Sequence, residues 1–322
     1  MIRRCSNENC FVHDGESCPM GHMREADCPH WSAEGSVPEV AVSPAMAAVR
    51  VPWSGSALGL ADLTDLVPRA RSILLGVLGA HDAGKTTLLT ANYLQLLRGH
   101  SLADARFAGS RTLGAWESLA AWTRFEDAAR RPSFPPHTPR GTSRVPGLLH
   151  LALRGPQDAF RDVLLADAPG EWFTRWSIQE DAPEAEGARW IVRHADAFLV
   201  LADCRRLSGQ ERGSTRAELR QLLERLSNHV DGRPTVLVWS KADQTEGHIP
   251  SEGIRNSIRS TLKACIPHAT EVESTIVRRE TLGLALEAAL RPAWLPPRAR
   301  SVEEPILEHH GFAAFRGIHA RS

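Results

Sequence analysis

The chain has 322 residues, 38 basic and 38 acidic side chains, a net charge of zero and 42% hydrophobic content. That length holds one large domain with an appendage, or two modest domains, with ample apolar material for a core. Zero net charge removes the bulk field that draws a protein to nucleic acid or anionic lipid; no run of eighteen apolar residues offers a membrane span, and the first residues lack a signal peptide's apolar stretch, so a cytoplasmic protein is expected.

Four of the six cysteines, Cys5, Cys10, Cys18 and Cys28, lie in the first 28 residues, interleaved with His13, His22 and His30. Cytosolic thiols stay reduced, and Zn²⁺ takes four N/S ligands in a tetrahedron, so this spacing points to metal before disulfide. Residues 1–31 carry few aliphatic side chains, and metal binding would supply most of the folding free energy of such a module. The expected ligands are Cys5, Cys10, Cys18 and Cys28, with His22 of Cys-Pro-Met-Gly-His as the alternate for one of them. Four protein ligands leave no open position, which makes the zinc structural. Cys204 and Cys265 read as small buried hydrophobes. Residues 32–70 read as a linker with a short helix over Ala61–Arg71.

From Ile73 to Leu78 the chain is an apolar run, and a helical run spans Leu88–Leu97. Between them Gly79-Ala-His-Asp-Ala-Gly-Lys-Thr86 satisfies G-x-x-x-x-G-K-[ST]. In that strand, turn and helix context backbone N–H groups cradle phosphates, Lys85 reaches the β- and γ-phosphates and the Thr86 hydroxyl ligates Mg²⁺. Only three residues are Lys (Lys85, Lys241 and Lys263), and two of them fall in nucleotide motifs. A slim ammonium is what a phosphate loop needs and a guanidinium cannot replace.

The stretch 101–146 reads as a helical insertion followed by a loop. Trp116, Leu119, Trp122 and Phe125 form a helical stripe, expected as core or interface, and residues 132–146 are rich in Pro, Ser and Thr. Two runs, Leu148–Arg154 and Phe160–Ala166, are joined by a hairpin-like turn at Gly155–Asp158. Further strands are expected at Ala197–Ala202 and Thr235–Trp239, with a weaker one near Glu271–Val277. Helices are expected at about 189–193, 215–226, 251–264 and 281–290. The order describes an α/β fold with a mostly parallel sheet and one antiparallel edge strand.

The second hairpin strand ends in Asp167-Ala-Pro-Gly-Glu171. A carboxylate there holds Mg²⁺ directly or through water, and Gly170 lets its N–H approach a γ-phosphate. Farther on, Trp239-Ser-Lys-Ala-Asp243 follows an apolar run. A carboxylate at Asp243 accepts hydrogen bonds from guanine N1–H and its 2-amino group, which adenine does not offer, while the Lys241 stem packs on the base.

Together the phosphate loop, Asp-x-x-Gly, the hairpin and Ser-Lys-Ala-Asp resemble the TRAFAC class of GTPases over about Ile73–Leu290. The long loop before the hairpin, Asp-Ala-Pro-Gly-Glu-Trp-Phe and the Cys-rich front resemble bacterial GTPases of the double-GTPase type, encoded in predicted conflict or defence systems. The resemblance implies a P-loop domain over 71–292 of Ras-like topology and a tail over 293–322. It implies that Gly79, Ala80, His81, Asp82, Ala83, Gly84, Lys85, Thr86 and Thr87 hold phosphates, that Thr86, Asp167 and a switch threonine hold Mg²⁺, and that Ser240, Lys241 and Asp243 read the base. That threonine is Thr142, with Thr138 as the alternative. Lys85, Thr142, Gly170 and Glu171 are the implied catalytic residues, and Ser274 and Thr275 are candidates for a fifth, base-lining motif.

Four positions depart from the family pattern or bear on it. Ser240 replaces the usual Asn or Thr. Glu171 stands where a water-orienting Gln is usual, and a carboxylate beside γ-phosphate is repelled unless protonated or acting as a base, so turnover is expected to be slow. His81 would crowd an entering arginine finger. Asp82 matches the Asp of translation GTPases, where it can seat a monovalent cation such as K⁺ or simply shape the loop. The expected function is a GTP-hydrolysing switch with GTP, Mg²⁺ and structural Zn²⁺, meeting a protein partner through the zinc module, the insertion or the tail. The alternatives are a nucleotide-binding scaffold without turnover and a P-loop ATPase or kinase.

Overall fold

The computed structural model describes residues 4–5, 18, 20–23, 27–32, 57–66, 72–123, 133–135, 146–242 and 249–294. The chain divides into a unit over 1–50 and a unit over 51–322. In the first, β1 (Arg4–Cys5) pairs antiparallel with β2 (Trp31–Ser32), Cys5 opposite Trp31. The Gly21 N–H donates to the Cys18 carbonyl at 2.9 Å, closing a tight turn over Cys-Pro-Met-Gly.

The second unit begins with α1 (Leu63–Leu66), β3 (Ser72–Leu78) and α2 (Lys85–Leu97). The insertion supplies β4 (Arg106–Gly109) and α3 (Leu113–Ala121), followed by the hairpin β5 (Leu148–Arg154) and β6 (Phe160–Ala166). Then come α4 (Gly170–Ile178), α5 (Glu186–His194), β7 (Ala197–Asp203), α6 (Cys204–Ser208) and α7 (Arg212–Ser227). The chain continues through β8 (Thr235–Ser240), α8 (Glu252–Cys265), β9 (Thr270–Ser274) and α9 (Arg279–Trp294).

Seven strands form one sheet in the order β4-β5-β6-β3-β7-β8-β9. β5 runs antiparallel to both its neighbours, and the pairings from β6 to β9 are parallel. The expected mostly parallel sheet with a single reversed strand is thus present. That strand is not the rim, because β4 covers it. β4 was not expected: four residues with an Arg at one end and a Gly at the other carry too little alternation to read as a strand.

β3, β7 and β8 read as continuous apolar runs because both faces are covered. Ile73, Leu75 and Val77 pack with residues of α2, α3 and α9. Leu74 and Leu78 pack with residues of α4, α5, α7 and α8. These two layers hold the strand ends rigid, and the loops leaving those ends carry the chemistry.

The insertion docks through Trp116. Its ring stacks on Tyr93 of α2 with centroids 5.0 Å apart and planes 11° from parallel, and its indole N–H donates to the His150 carbonyl at 2.9 Å. His150 itself is buried with Asp162, its Nε2 3.0 Å from the carboxylate. Because Nδ1 accepts the Arg111 N–H at 2.9 Å, Nε2 carries the proton and donates to Asp162. The helical stripe is only partly realised: α3 ends at Ala121, leaving Trp122 46% exposed, while Phe125 lies outside the described residues. Cys204 is buried, as expected, and burial pushes its thiol up to about 12, an inert value. Among the described residues no helix is long and apolar enough to cross a membrane.

Candidate functional site

The parallel strands β3, β7, β8 and β9 end on the same edge, where open α/β sheets place their ligands. A cleft of about 510 Å³ opens there between the loop after β3, the start of α4 and the segment after β9. Gly84 caps α2 in a left-handed conformation, φ 88°, where a side chain is disfavoured. Asp82 also has positive φ, 57°, a strained backbone of the kind found at functional loops. Residues 81–87 line the cleft, so it borders the start of α2, and a helix N-terminus is a ready site for an anion.

Lys85 lies in the first turn of α2, and its Nζ donates to the carbonyls of Gly79 at 3.1 Å and Ala80 at 3.0 Å. It is buried, and burial holds its pKa below the ordinary lysine value, partly opposed by the charges of Asp167, Glu171 and Asp82. Next to it the Thr86 hydroxyl donates to Asp167 at the end of β6, 2.9 Å from Oδ2 and 3.2 Å from Oδ1. A hydroxyl and a carboxylate in contact are the hard oxygen donors that suit Mg²⁺.

Asp167 leads through Ala168 and Pro169 into α4, whose first residue lies against the phosphate loop. A Cβ on Gly170 would sit 2.3 Å from the His81 nitrogen and 2.4 Å from the Ala80 carbonyl carbon, so only glycine fits. That approach sets Glu171 beside the loop, with Oε1 3.3 Å from His81 Nδ1.

On the other wall Ser240 ends β8, its hydroxyl 3.3 Å from the Ala202 carbonyl. Lys241 follows with φ 55°. Its Nζ donates to the Asp82 carbonyl and lies 2.9 Å from Asp203 Oδ2 and 3.3 Å from Asp82 Oδ2. The lysine therefore ties the loop after β8 to the phosphate loop. Asp203 is buried and also caps α6, accepting the Arg205 and Arg206 N–H groups. Sequence reasoning missed it. Its only signal was a carboxylate closing an apolar strand in register with Ser240.

Ser274, Thr275 and Ile276 line the same cleft, as do Thr87 and the unexpected Phe134, Pro135 and Arg205. Residues 81–87, 170, 171, 240 and 241 thus line one depression, with Gly79, Ala80 and Asp167 joined to its Lys85 and Thr86 by hydrogen bonds. Asp243, Thr142 and Thr138 lie outside the described residues. In the N-terminal unit Cys28 is buried and lies near Cys18, whose thiol is held below its ordinary pKa chiefly by the backbone N–H groups of His22 and Met20. Among the described residues no three metal-ligating side chains come together. Cys10 lies outside them, so the expected set of four is not assembled on what is described.

A mostly parallel sheet with a phosphate loop after β3, a loop threonine bonded to the carboxylate ending β6, and Ser-Lys-Ala leaving β8 defines a P-loop GTPase. The Double-GTPase 2 family model matches residues 73–294, and the chain belongs to that family. No curated protein matches it. Among solved structures it is similar to the Arl6 BBS3 small GTPase from Trypanosoma brucei with a bound nucleotide analogue, at 11% identity and a TM-score of 0.36, covering 69% of this chain and 97% of that one.

Proposed function

We propose that the protein binds GTP with Mg²⁺ and hydrolyses it slowly, as a switch whose segments around Thr142 and Gly170 respond to the γ-phosphate. The observation that carries this reading is the Thr86–Asp167 hydrogen bond beside Lys85, at one end of a cleft that reaches Lys241 and Ser274 at the other. Thr86 and Asp167 would hold Mg²⁺, which neutralises charge on the β- and γ-phosphate oxygens. Lys85 would exchange two carbonyl partners for phosphate oxygens. Turnover is slow because Glu171 fills the water-orienting slot less effectively than the usual Gln.

Nucleotide preference tests the guanine assignment. GTP is expected to bind at least about tenfold more tightly than ATP, and Asp243→Asn to erase most of that difference, since a site built to pair two donors loses one to two charge-assisted hydrogen bonds. Equal affinity of the natural chain for both nucleotides by titration calorimetry sinks it. Binding without phosphate release instead supports a scaffold.

For the N-terminal unit we propose a structural Zn²⁺ held by Cys5, Cys10, Cys18 and Cys28, with His22 as the alternate ligand. The turn at Cys18, the nearness of Cys28 to it and the backbone pairing of Cys5 with Trp31 support it. Elemental analysis is expected to find about one zinc per chain, the stoichiometry of a closed four-ligand site. Retention of full zinc after Cys18→Ser and Cys28→Ser together excludes that set.

A further inference from the structure

Two departures from the family pattern, His81 and Glu171, touch each other. His81 occupies the third position of the phosphate loop, Glu171 the second residue of α4, and the ring Nδ1 lies 3.3 Å from the carboxylate. The contact follows from how tightly α4 is seated. Gly170 has no room for a Cβ against Ala80 and His81, so the residue after it has little freedom to leave the loop. Both side chains line the cleft with Lys85 and Thr86. They remain partly accessible, His81 at 53% and Glu171 at 35%, so solvent water reaches them.

From this geometry we infer that His81 is a positioning residue for Glu171, the two forming an internal pair that orients the attacking water. The inference rests on the proposed GTP hydrolysis and assigns the part of it that the usual Gln would perform. A carboxylate at Nδ1 selects the ring form with a proton there, and the N–H donates to one carboxylate oxygen. The carboxylate lines the cleft and is partly accessible, so it can also accept from water there. Held this way, the carboxylate is kept beside the phosphate loop and its charge is partly offset by the donor, which lessens the repulsion a bare Glu would meet. In the step itself the water oxygen bonds to the γ-phosphorus while the bond from that phosphorus to the β,γ-bridging oxygen breaks, its electron pair leaving with GDP. One water proton passes to Glu171 and then to solvent, and the other stays on the hydrogen phosphate product.

The test separates this pairing from hydrolysis itself. His81→Ala is expected to lower kcat about tenfold to a hundredfold, the low end of what a positioned proton acceptor supplies, with affinity for a non-hydrolysable GTP analogue changed by less than about threefold. His81→Asn, whose amide nitrogen can reach the Nδ1 position, is expected to recover much of that loss. Glu171→Ala lowers kcat by at least as much, and adding His81→Ala to it changes nothing further, because a positioning residue has no work without its partner. Turnover by His81→Ala equal to the parent, or two losses that simply multiply, overturns the pairing and leaves hydrolysis standing. A parent protein that binds GTP and releases no phosphate overturns both.

Discussion

Lys85→Met is expected to abolish useful GTP binding while leaving the nucleotide-free protein at least as stable as the parent. The ammonium is buried at the loop, and among the described residues its hydrogen-bond partners are the Gly79 and Ala80 carbonyls. Replacing two carbonyls by anionic phosphate oxygens makes two charge-assisted bonds of ~1.5–3 kcal/mol each, so their loss costs about a hundredfold or more in affinity. Without nucleotide the balance reverses. Burial depresses the lysine's folded pKa below the unfolded value of 10.5, so the folded state holds the proton less tightly than the unfolded chain does. Stability of the parent is therefore lower below the folded value and rises with pH through the interval between the two. Thermal unfolding across alkaline pH is expected to show that rise in the parent and not in Lys85→Met. A variant that keeps GTP affinity within threefold of the parent removes Lys85 from the phosphate site.

Gly170→Ala is expected to uncouple α4 from the phosphate loop. The added methyl would meet backbone, not a flexible side chain: the His81 nitrogen at 2.3 Å, the Ala80 carbonyl carbon at 2.4 Å and its oxygen at 2.6 Å. Backbone cannot rotate out of the way, so α4 or the loop must shift by an ångström or so, and overpacking of this kind costs about 1–3 kcal/mol. The shift falls where a γ-phosphate would be sensed. Turnover should drop by about a hundredfold, the scale set by a small misplacement of reacting groups, while GDP, which lacks the γ-phosphate, binds within about threefold of the parent. Fluorescent GDP titration beside phosphate-release kinetics reads both. A variant with parental turnover refutes the close packing of α4 on the loop.

Much of the site was legible because its residue types are chemically forced. A phosphate loop needs small residues where backbone turns back, a slim cation and a hydroxyl, and Gly79, Gly84, Lys85 and Thr86 stand in that order between a strand and a helix. Asp167 and Gly170 could be read because they follow an apolar strand at fixed spacing. Asp203 could not: a lone acid at a strand end has many uses, and its bond to Lys241 joins residues 38 positions apart. Phe134, Pro135 and Arg205 were hidden for the same reason, since lining a cleft is a property of the folded surface. β4 escaped notice because it is stabilised by its pairing with β5 and not by its own pattern.

By itself the amino-acid order determined the fold class, most of the strands and helices and the identity of the phosphate-loop groups, because hydrophobic period and local backbone demands are written over a few neighbouring residues. It did not reveal β4, α4 or α6. Only the tertiary structure decided that β5 is covered by a further strand, that Lys241 bridges Asp82 and Asp203, and that Gly170 brings Glu171 onto His81. Those contacts join residues far apart in the chain. Their distances follow from how two apolar layers pack on one sheet, and no local pattern records that.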